Sequence, residues 1–318
     1  MVKLDQITLR QLRALRLVEE HGTISAAAAA VGLTPPAVHS QVKTLEEIIG
    51  APLLDRDGRQ RGVLSAQGRV LVRTEAQIEA LLDRALREVT ALQQGRTGTV
   101  VLGAVSTAKY VAPKIVALLD TEYPGIEVVL KIANRQDTIA ALGRGEYDLC
   151  IMGRPPRSPL TEATALADHP HLIIAPPGHP LTGDRRIHAA ELARERFILR
   201  ESGSGTRLLA ERYLGQLGDV LRIERIEMDS NETIKQAVMS GLGIALISAD
   251  TVANEVETGR LAVIRAEGTP IIRKWYLLTP LDLKPAPATR VIGAWIGANG
   301  GACFPGHEVL TRCAMMPE

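Results

Sequence analysis

The sequence predicts a multidomain chain with a small all-α domain, a long helix and a larger α/β domain. Apolar residues recur at helical spacing near the N-terminus, and no proline occurs between Ser65 and Pro113. Beyond that stretch, strand-like and helix-like segments alternate. With 318 residues, 46% of them hydrophobic and 23% charged, the chain suits two or three domains with true cores.

Three short helices are predicted in the N-terminal segment. The first helix ends at Gly22, and Ser25 can cap a second helix made almost entirely of alanine. Thr34 can cap a third helix whose first turn is Pro35-Pro36, where proline is tolerated because first-turn amides lack intrahelical partners. This order is typical of a helix-turn-helix.

The third helix is predicted to have an apolar inner face and a polar outer face. The turn after it, from Asp57 to Gly62, carries two arginines and predicts the wing of a winged helix-turn-helix. Because the formal net charge is only +1, DNA binding must depend on where charges lie. A small helical bundle with a solvated basic loop is the alternative. The predicted DNA-binding residues are Thr34, Pro35, Pro36, Ala37, His39, Ser40, Gln41, Lys43, Arg56, Arg59 and Arg61.

A long helix is predicted after this domain. Leu71, Ile78, Ala85 and Leu92 recur every seven residues, which indicates a coiled-coil-like seam. Such a seam would form a homodimer that places two recognition helices on two operator half-sites. A helix packed on its own domain is the alternative.

The remaining pattern predicts two βαβ units side by side, with a mainly parallel sheet. The chain is expected to cross between the units near 166–171 and to return near Leu277. We therefore expect a helix-turn-helix domain at 1–65, a linker helix at 66–94 and an α/β domain at 95–298. Its subdomain I spans about 98–168 and 277–298, and subdomain II about 169–276. Residues 299–318 lack periodicity and are expected to form a disordered tail.

Polar loops at the predicted strand ends indicate a ligand cleft between the two subdomains. In open α/β sheets, ligands bind beyond the carboxyl ends of strands, often at helix N-termini. Hydroxyls, amides and arginines in these loops favour an anionic ligand such as a carboxylate or phosphate. Ordinary capped loops with solvated arginines are the alternative. The predicted ligand-binding residues are Ser106, Thr107, Asn134, Arg135, Gln136, Arg154, Ser204, Thr206, Arg207 and Asn231.

Other classes of protein fit less well. Ser202 stands where a nucleophile elbow needs glycine, and no phosphate loop or zinc-protease helix is present, so we expect neither an enzyme nor a resident cofactor. The three cysteines lack metal spacing, and His169 and His171 are interpreted as hinge surface rather than a metal site. No signal peptide or membrane span is predicted, which favours a cytoplasmic protein over an exported solute-binding protein.

The N-terminal residues resemble the LysR-type transcriptional regulators. The resemblance lies in Ser25 to Ala28, Leu33 to Val38, Gln41-Val42, Leu45-Glu46, Pro52 to Arg56 and Leu64 to Gly68. His39-Ser40 stands where the family often has a Ser-Arg pair. The resemblance implies operator DNA as a partner, dimerisation through the linker helix and a periplasmic-binding-protein-like effector domain. It also implies a dimer of dimers, and leaves RNA polymerase open as a partner.

Shorter strings resemble the subgroup that controls RubisCO and Calvin-cycle operons. They are Pro35 to Val38, Asn134 to Gln136, Tyr147 to Leu149 and Ile151 to Pro156. The resemblance implies a regulator of carbon-fixation genes, expected to be an activator, whose candidate effectors include ribulose 1,5-bisphosphate, phosphoenolpyruvate and NADPH. A LysR-type regulator of another metabolic operon is the alternative.

Overall fold

The computed structural model describes residues 4–55, 64–93, 97–216, 223–282, 284–306 and 308–310. The chain forms two compact units, Met1–Leu86 and Arg87–Glu318. The predicted wing, with Arg56, Arg59 and Arg61, lies outside the described residues.

The first unit is helical, as the sequence predicts. Its helices are α1 (Leu9–His21), α2 (Ile24–Ala30), α3 (Pro35–Ile49) and α4 (Ala66–Gln93). Thr23, not Ser25, caps α2, since its hydroxyl accepts the Ala26 amide at 3.0 Å. Thr34 holds the extended N-cap position of α3 without forming a side-chain cap bond.

The small side chains of α2 allow the first three helices to pack closely. Ala27 is fully buried beside Leu15, Val18 and Leu45 in one core. Leu54 and Leu64 then form an antiparallel bridge just before α4. Residues 71, 72 and 78 of α4 contribute to the same core. The first half of the long helix therefore packs on its own domain.

A cluster of ion pairs joins α1 to α4. Arg16 lies 2.9 Å from Glu75 and 3.2 Å from Glu79, measured between side-chain nitrogen and oxygen atoms. Glu75 is 1% exposed, and removal from water raises the pKa of its carboxyl despite the nearby guanidinium. Arg16 therefore compensates a buried charge.

The second unit is an α/β domain. Its strands are β1 (Gly98–Val105), β2 (Ile126–Ala133), β3 (Leu149–Met152), β4 (Thr161–Ala175), β5 (Phe197–Arg200), β6 (Arg225–Met228), β7 (Ala245–Ser248), β8 (Ala262–Ile264) and β9 (Ile271–Pro280). Its helices are α5 (Ala112–Glu122), α6 (Arg135–Arg144), α7 (Ala189–Leu192), α8 (Gly205–Gln216), α9 (Asn231–Met239), α10 (Ala249–Glu257) and α11 (Pro287–Asn299).

Two long strands connect the subdomains. The main sheet has the order β2-β1-β3-β9-β4-β7, with β8 on β4, while β5 and β6 pair separately. Strands β4 and β9 pair antiparallel from Thr161–Pro280 to His171–Ile271, with a bulge between Ala165 and Ala167. The expected parallel pairing holds for β1 with β2 and β3, and for β5 with β6. The pairs made by β4 and β9 are antiparallel because these strands pass through the middle of the sheet in opposite directions.

The prediction of a disordered tail is wrong for the described residues that follow α11. Gly300–Cys303 form a 3-10 helix, and Phe304 and Val309 are buried. The sequence lacks periodicity here because the segment makes irregular contacts with several elements instead of presenting one face. Residues 311–318 lie outside the described part of the chain.

Arg16→Ala should destabilise the N-terminal unit by about 3 kcal/mol, because it leaves the buried Glu75 carboxylate without a cation. Arg13→Ala is the matched control, since Arg13 also pairs with Glu79 but is 58% exposed, and it should cost below about 1 kcal/mol. Amide hydrogen exchange of α1 and α3 measures both. Equal effects of the two substitutions would contradict this role of Arg16.

Candidate functional site

A pocket of about 150 Å³ lies between the two subdomains of the second unit. We call it the cleft pocket. It is bordered by strand ends and helix starts, the location that the sequence predicts. Its lining residues are Val105, Ser106, Thr107, Arg135, Gly153, Arg154, His169, His171, Ser204, Gly205, Thr206, Leu208, Leu209, Arg212 and Arg273.

These lining residues belong to several strands, helices and loops of the domain. Ser106 and Thr107 follow β1, and Arg135 begins α6 beside them. Arg154 follows β3, and Thr206 lies in the first turn of α8. Parallel strands end at the same edge of a sheet, and helix N-termini carry partial positive charge. The pocket is therefore suited to an anion.

Six of the ten predicted ligand-binding residues line the cleft pocket: Ser106, Thr107, Arg135, Arg154, Ser204 and Thr206. The other four have structural contacts elsewhere. Asn134 caps α6, and the Gln136 amide donates to the Gly203 carbonyl at 3.2 Å. Arg207 pairs with Glu211 and Glu227, and Asn231 is buried against Arg200.

Four arginines line the pocket without a carboxylate partner. Within the part of the chain that the structure describes, Arg135, Arg154, Arg212 and Arg273 form no ion pair with Asp or Glu. Burial, and then the charges of Arg154 and Arg273, lower the pKa of Arg135. Burial also lowers the pKa of Arg273, with contributions from Arg154 and Arg212. The pocket is thus a region of uncompensated positive charge.

The interpretation of His169 and His171 as hinge surface is wrong, because both side chains are buried and line the pocket. Burial lowers the pKa of His171 to about 4 and lowers that of His169 well below its usual value. Among the described residues, His169 Nδ1 has no hydrogen-bond partner, and a Cβ on the adjacent Gly153 would lie 2.8 Å from it. Both imidazoles are therefore neutral near pH 7.

Strand register explains why sequence reasoning missed part of the pocket. His169 of β4 lies opposite Arg273 of β9, about a hundred residues later in the chain. The alternation of His169 and His171 places both on one face of a strand, which was an available signal. The pairing with Arg273 had no local signal, because it depends on two distant strands meeting.

Arg200, another residue that sequence reasoning missed, connects the subdomains beside the pocket. It is 3% exposed and donates to Glu201, to Asn231 at 2.5 Å and to Ser106 at 3.2 Å. Tyr110 donates to Glu232 across the same boundary at 2.5 Å. These bonds hold the loop after β1 against subdomain II.

In the first unit, α3 presents the predicted DNA-binding surface. Val38, Val42 and Leu45 are buried on its inner face. On its other face, Ala37 and Gln41 are half-buried, whereas the following predicted residues are exposed: Thr34, Pro35, Pro36, His39, Ser40 and Lys43. Lys43 lies 3.8 Å from Glu47 and remains at the surface. The helix can therefore present hydroxyl, imidazole, amide and ammonium groups to a DNA groove.

The described residues contain neither a candidate metal site nor a candidate membrane span. Among them, no group of three or more His, Cys, Asp or Glu side chains could hold a metal ion. No helix within the same residues is long and apolar enough to cross a membrane.

Two protein-family models match the two parts of the chain, and known proteins align with nearly all of it. Residues 9–69 match the lysR-family bacterial regulatory helix-turn-helix protein, and residues 93–300 match the LysR substrate binding domain. The HTH-type transcriptional regulator CbbR of Cereibacter sphaeroides is 44% identical over 96% of this chain and 99% of its own. A RuBisCO operon transcriptional regulator of Acidithiobacillus ferrooxidans is 38% identical over 92% and 94%. The Synechocystis PCC6803 CcmR regulatory domain, solved with 2-PG, has 32% identity and a TM-score of 0.60 over 63% of this chain and 96% of that chain.

The stability of the second unit should depend on pH through His171. An unfolded histidine has a pKa near 6.5, whereas that of folded His171 is about 4, so the unfolded chain binds more protons between these values. Stability is therefore lost as pH falls, by about 2 kcal/mol between pH 7 and pH 5 for this residue. Urea denaturation followed by tryptophan fluorescence measures it, since Trp275 and Trp295 both lie in this unit.

His171→Gln should make this pH profile shallower, with buried His169 causing part of the remaining slope, and His188→Gln, at an exposed histidine, should leave the profile unchanged. A His171→Gln profile as steep as that of the wild type would show that another group causes the pH dependence.

Proposed function

The chain belongs to the LysR family of transcriptional regulators, and we propose that it controls carbon-fixation genes in response to a small anionic effector in the cleft pocket. Membership of this family makes it a DNA-binding regulator rather than an enzyme. In the proposed mechanism, α3 contacts operator DNA and the cleft pocket binds the effector.

The four unpaired arginines of the cleft pocket carry the effector proposal. Concentrating positive charge without a carboxylate is unfavourable unless an anion joins it. Several arginines favour a ligand with more than one negative charge, because a guanidinium can bind carboxylate or phosphate with two parallel hydrogen bonds. The effector class that fits is a compact phosphorylated or carboxylated metabolite.

The size of the pocket favours the smallest of the three candidate effectors. Pockets for drug-sized ligands usually measure roughly 300–1,000 Å³, whereas the cleft pocket measures about 150 Å³. Phosphoenolpyruvate, a small molecule with a phosphate and a carboxylate, suits this volume best. Ribulose 1,5-bisphosphate is larger, and NADPH is larger still.

The relatives support both halves of the proposal. A RuBisCO operon regulator and a protein named CbbR align over nearly the full chain, which favours the same class of target genes. The CcmR regulatory domain was solved with 2-PG, which supports a small-molecule effector for this domain.

The second half of α4 favours dimerisation. Its exposed apolar residues are Leu81, Leu82, Leu86, Val89 and Leu92. An exposed apolar stripe on a long helix is suited to a partner helix. A second copy of this chain would cover it and place two α3 helices on two half-sites, and two such dimers could pair further into a tetramer.

Gln41→Ala and Lys43→Ala should each weaken operator binding about fivefold or more while leaving the fold intact, because both side chains lie on the outward part of α3. Loss of the Lys43 contact should also lower the salt dependence of binding. Fluorescence anisotropy with operator DNA at two salt concentrations measures both effects. Lys131→Ala, at an exposed lysine of the second unit, is the charge-matched control. Unchanged affinity in both α3 variants would remove this helix from the DNA interface.

Arg135→Ala should weaken effector binding at least tenfold, because it removes a half-buried guanidinium that lines the pocket. Arg207→Ala is the matched control, since Arg207 belongs to the neighbouring loop but pairs with Glu211 and Glu227 outside the pocket. Calorimetry with phosphoenolpyruvate, ribulose 1,5-bisphosphate, NADPH and inorganic phosphate measures both variants. Wild-type affinity in Arg135→Ala, or equal loss in Arg207→Ala, would place the effector elsewhere.

A further inference from the structure

The segment after α11 passes back from subdomain I to subdomain II. We call its described residues, 300–306 and 308–310, the C-terminal strap. Cys303 and Phe304 are buried in the core of subdomain I, together with Ile292 and Ile296 of α11. Val309 is buried in a core of subdomain II. The strap is thus a third connection between the subdomains, in addition to β4 and β9.

The strap lies close against the crossing strand β4. A Cβ on Gly301 would lie 2.4 Å from the carbonyl oxygen of Leu166, which sits at the bulge of β4. A Cβ on Gly306 would lie 2.8 Å from Asp250 Oδ1 and 3.0 Å from the Pro170 ring. Both glycines permit a backbone approach that a larger residue would prevent.

Asp250, at the start of α10, anchors the strap. Its Oδ1 accepts the Gly306 amide at 2.7 Å, and its Oδ2 accepts the Trp275 indole N–H at 2.8 Å. The Ser248 hydroxyl also donates to Oδ2, at 3.4 Å. The carboxylate is 3% exposed, and within the described residues these three donors are its hydrogen-bond partners. The strap therefore supplies one of the groups that satisfy a buried charge.

Two chains of contacts lead from this anchor to His169 in the cleft pocket. Ser248 Oγ lies 2.9 Å from His169 Nε2. The Trp275 ring stacks on the His169 ring with centroids 3.8 Å apart, and the ring of Phe304 in the strap packs against Trp275 with centroids 5.2 Å apart. The imidazole in the pocket is thus supported from behind by residues that also hold the strap.

We propose that the C-terminal strap supports the effector site from outside the pocket, and that Asp250 and Phe304 are positioning residues that fix the His169 imidazole in the cleft pocket through Ser248 and Trp275. This inference rests on the proposed function, because it takes the pocket as the effector site. Detachment of the strap would leave an oxygen of Asp250 unpaired and expose one side of Trp275, so His169 would lose its orientation. By linkage, a bound effector and a seated strap then stabilise each other.

The first test needs no ligand. The chain has two tryptophans, Trp275 and Trp295, so indole ¹⁵N labelling gives two N–H signals in the full-length protein. Asp250→Asn and Phe304→Ala should both shift the Trp275 signal and speed its hydrogen exchange more than tenfold, with a much smaller change at Trp295. Phe304→Tyr keeps an aromatic ring at this position and should leave the Trp275 N–H signal as in the wild type. An unchanged Trp275 signal in both disruptive variants would overturn the inference.

The second test measures affinity for phosphoenolpyruvate by calorimetry. Asp250→Asn and Phe304→Ala should weaken binding about five- to tenfold, and Phe304→Tyr should retain it. Leu119→Ala is the control for general destabilisation, since Leu119 is buried in α5 and does not line the pocket. Unchanged affinity in both strap variants, or an equal loss in Leu119→Ala, would overturn the role of the strap.

The two tests also separate the inference from the proposed function. If the wild type bound none of the four probes, including inorganic phosphate, the effector proposal would fail, whereas the indole signals would still decide whether the strap positions the network behind His169.

Discussion

The antiparallel pairing of β4 with β9 is the constraint on which the effector domain depends. The two strands run side by side through both subdomains, and each subdomain builds its own core around one end of the pair. Their register sets His169 beside Arg273 at the boundary. Because the pocket lies where the subdomains meet, a shift of β9 by one residue against β4 would turn Arg273 to the opposite face and away from His169. Pocket chemistry and fold are therefore fixed by the same ladder of hydrogen bonds.

The pocket concentrates positive charge at a place where the protein supplies no opposing carboxylate among the described residues. In contrast, three buried charged side chains elsewhere in the molecule have an oppositely charged partner. Glu75 forms an ion pair with Arg16, Lys235 forms one with Glu255 at 3.0 Å, and Arg200 forms one with Glu201. This difference is the basis of the proposal that a bound anion supplies the compensating charge of the pocket. Neutral histidines in the same pocket add no further charge, so the arginines carry the attraction for an anion.

Both proposed recognition sites depend on where individual side chains lie rather than on the net charge of the protein. A net charge of +1 gives the whole protein little general attraction for phosphate. On α3, burial of Val38, Val42 and Leu45 fixes which side chains face outward. In the cleft pocket, strand ends and helix starts bring together arginines that are far apart in the sequence. A near-neutral protein can thus recognise two anionic partners at separate sites.

The sequence by itself determined the domain order, the helices of the first unit and the loops that border the pocket. These features have local signals: apolar spacing, capping residues, and glycine or polar residues at strand ends. Ser106, Thr107, Arg135 and Arg154 were found in this way because loops at the ends of parallel strands share one edge of a sheet. Only the tertiary structure decided which loop residues face the pocket. Arg207 and Asn231 carry the same chemistry as true lining residues, but neighbouring carboxylates and Arg200 hold them elsewhere. It also decided the roles of His169, Arg273 and the C-terminal strap, because their contacts join segments that are distant in the chain and no local pattern encodes such a meeting.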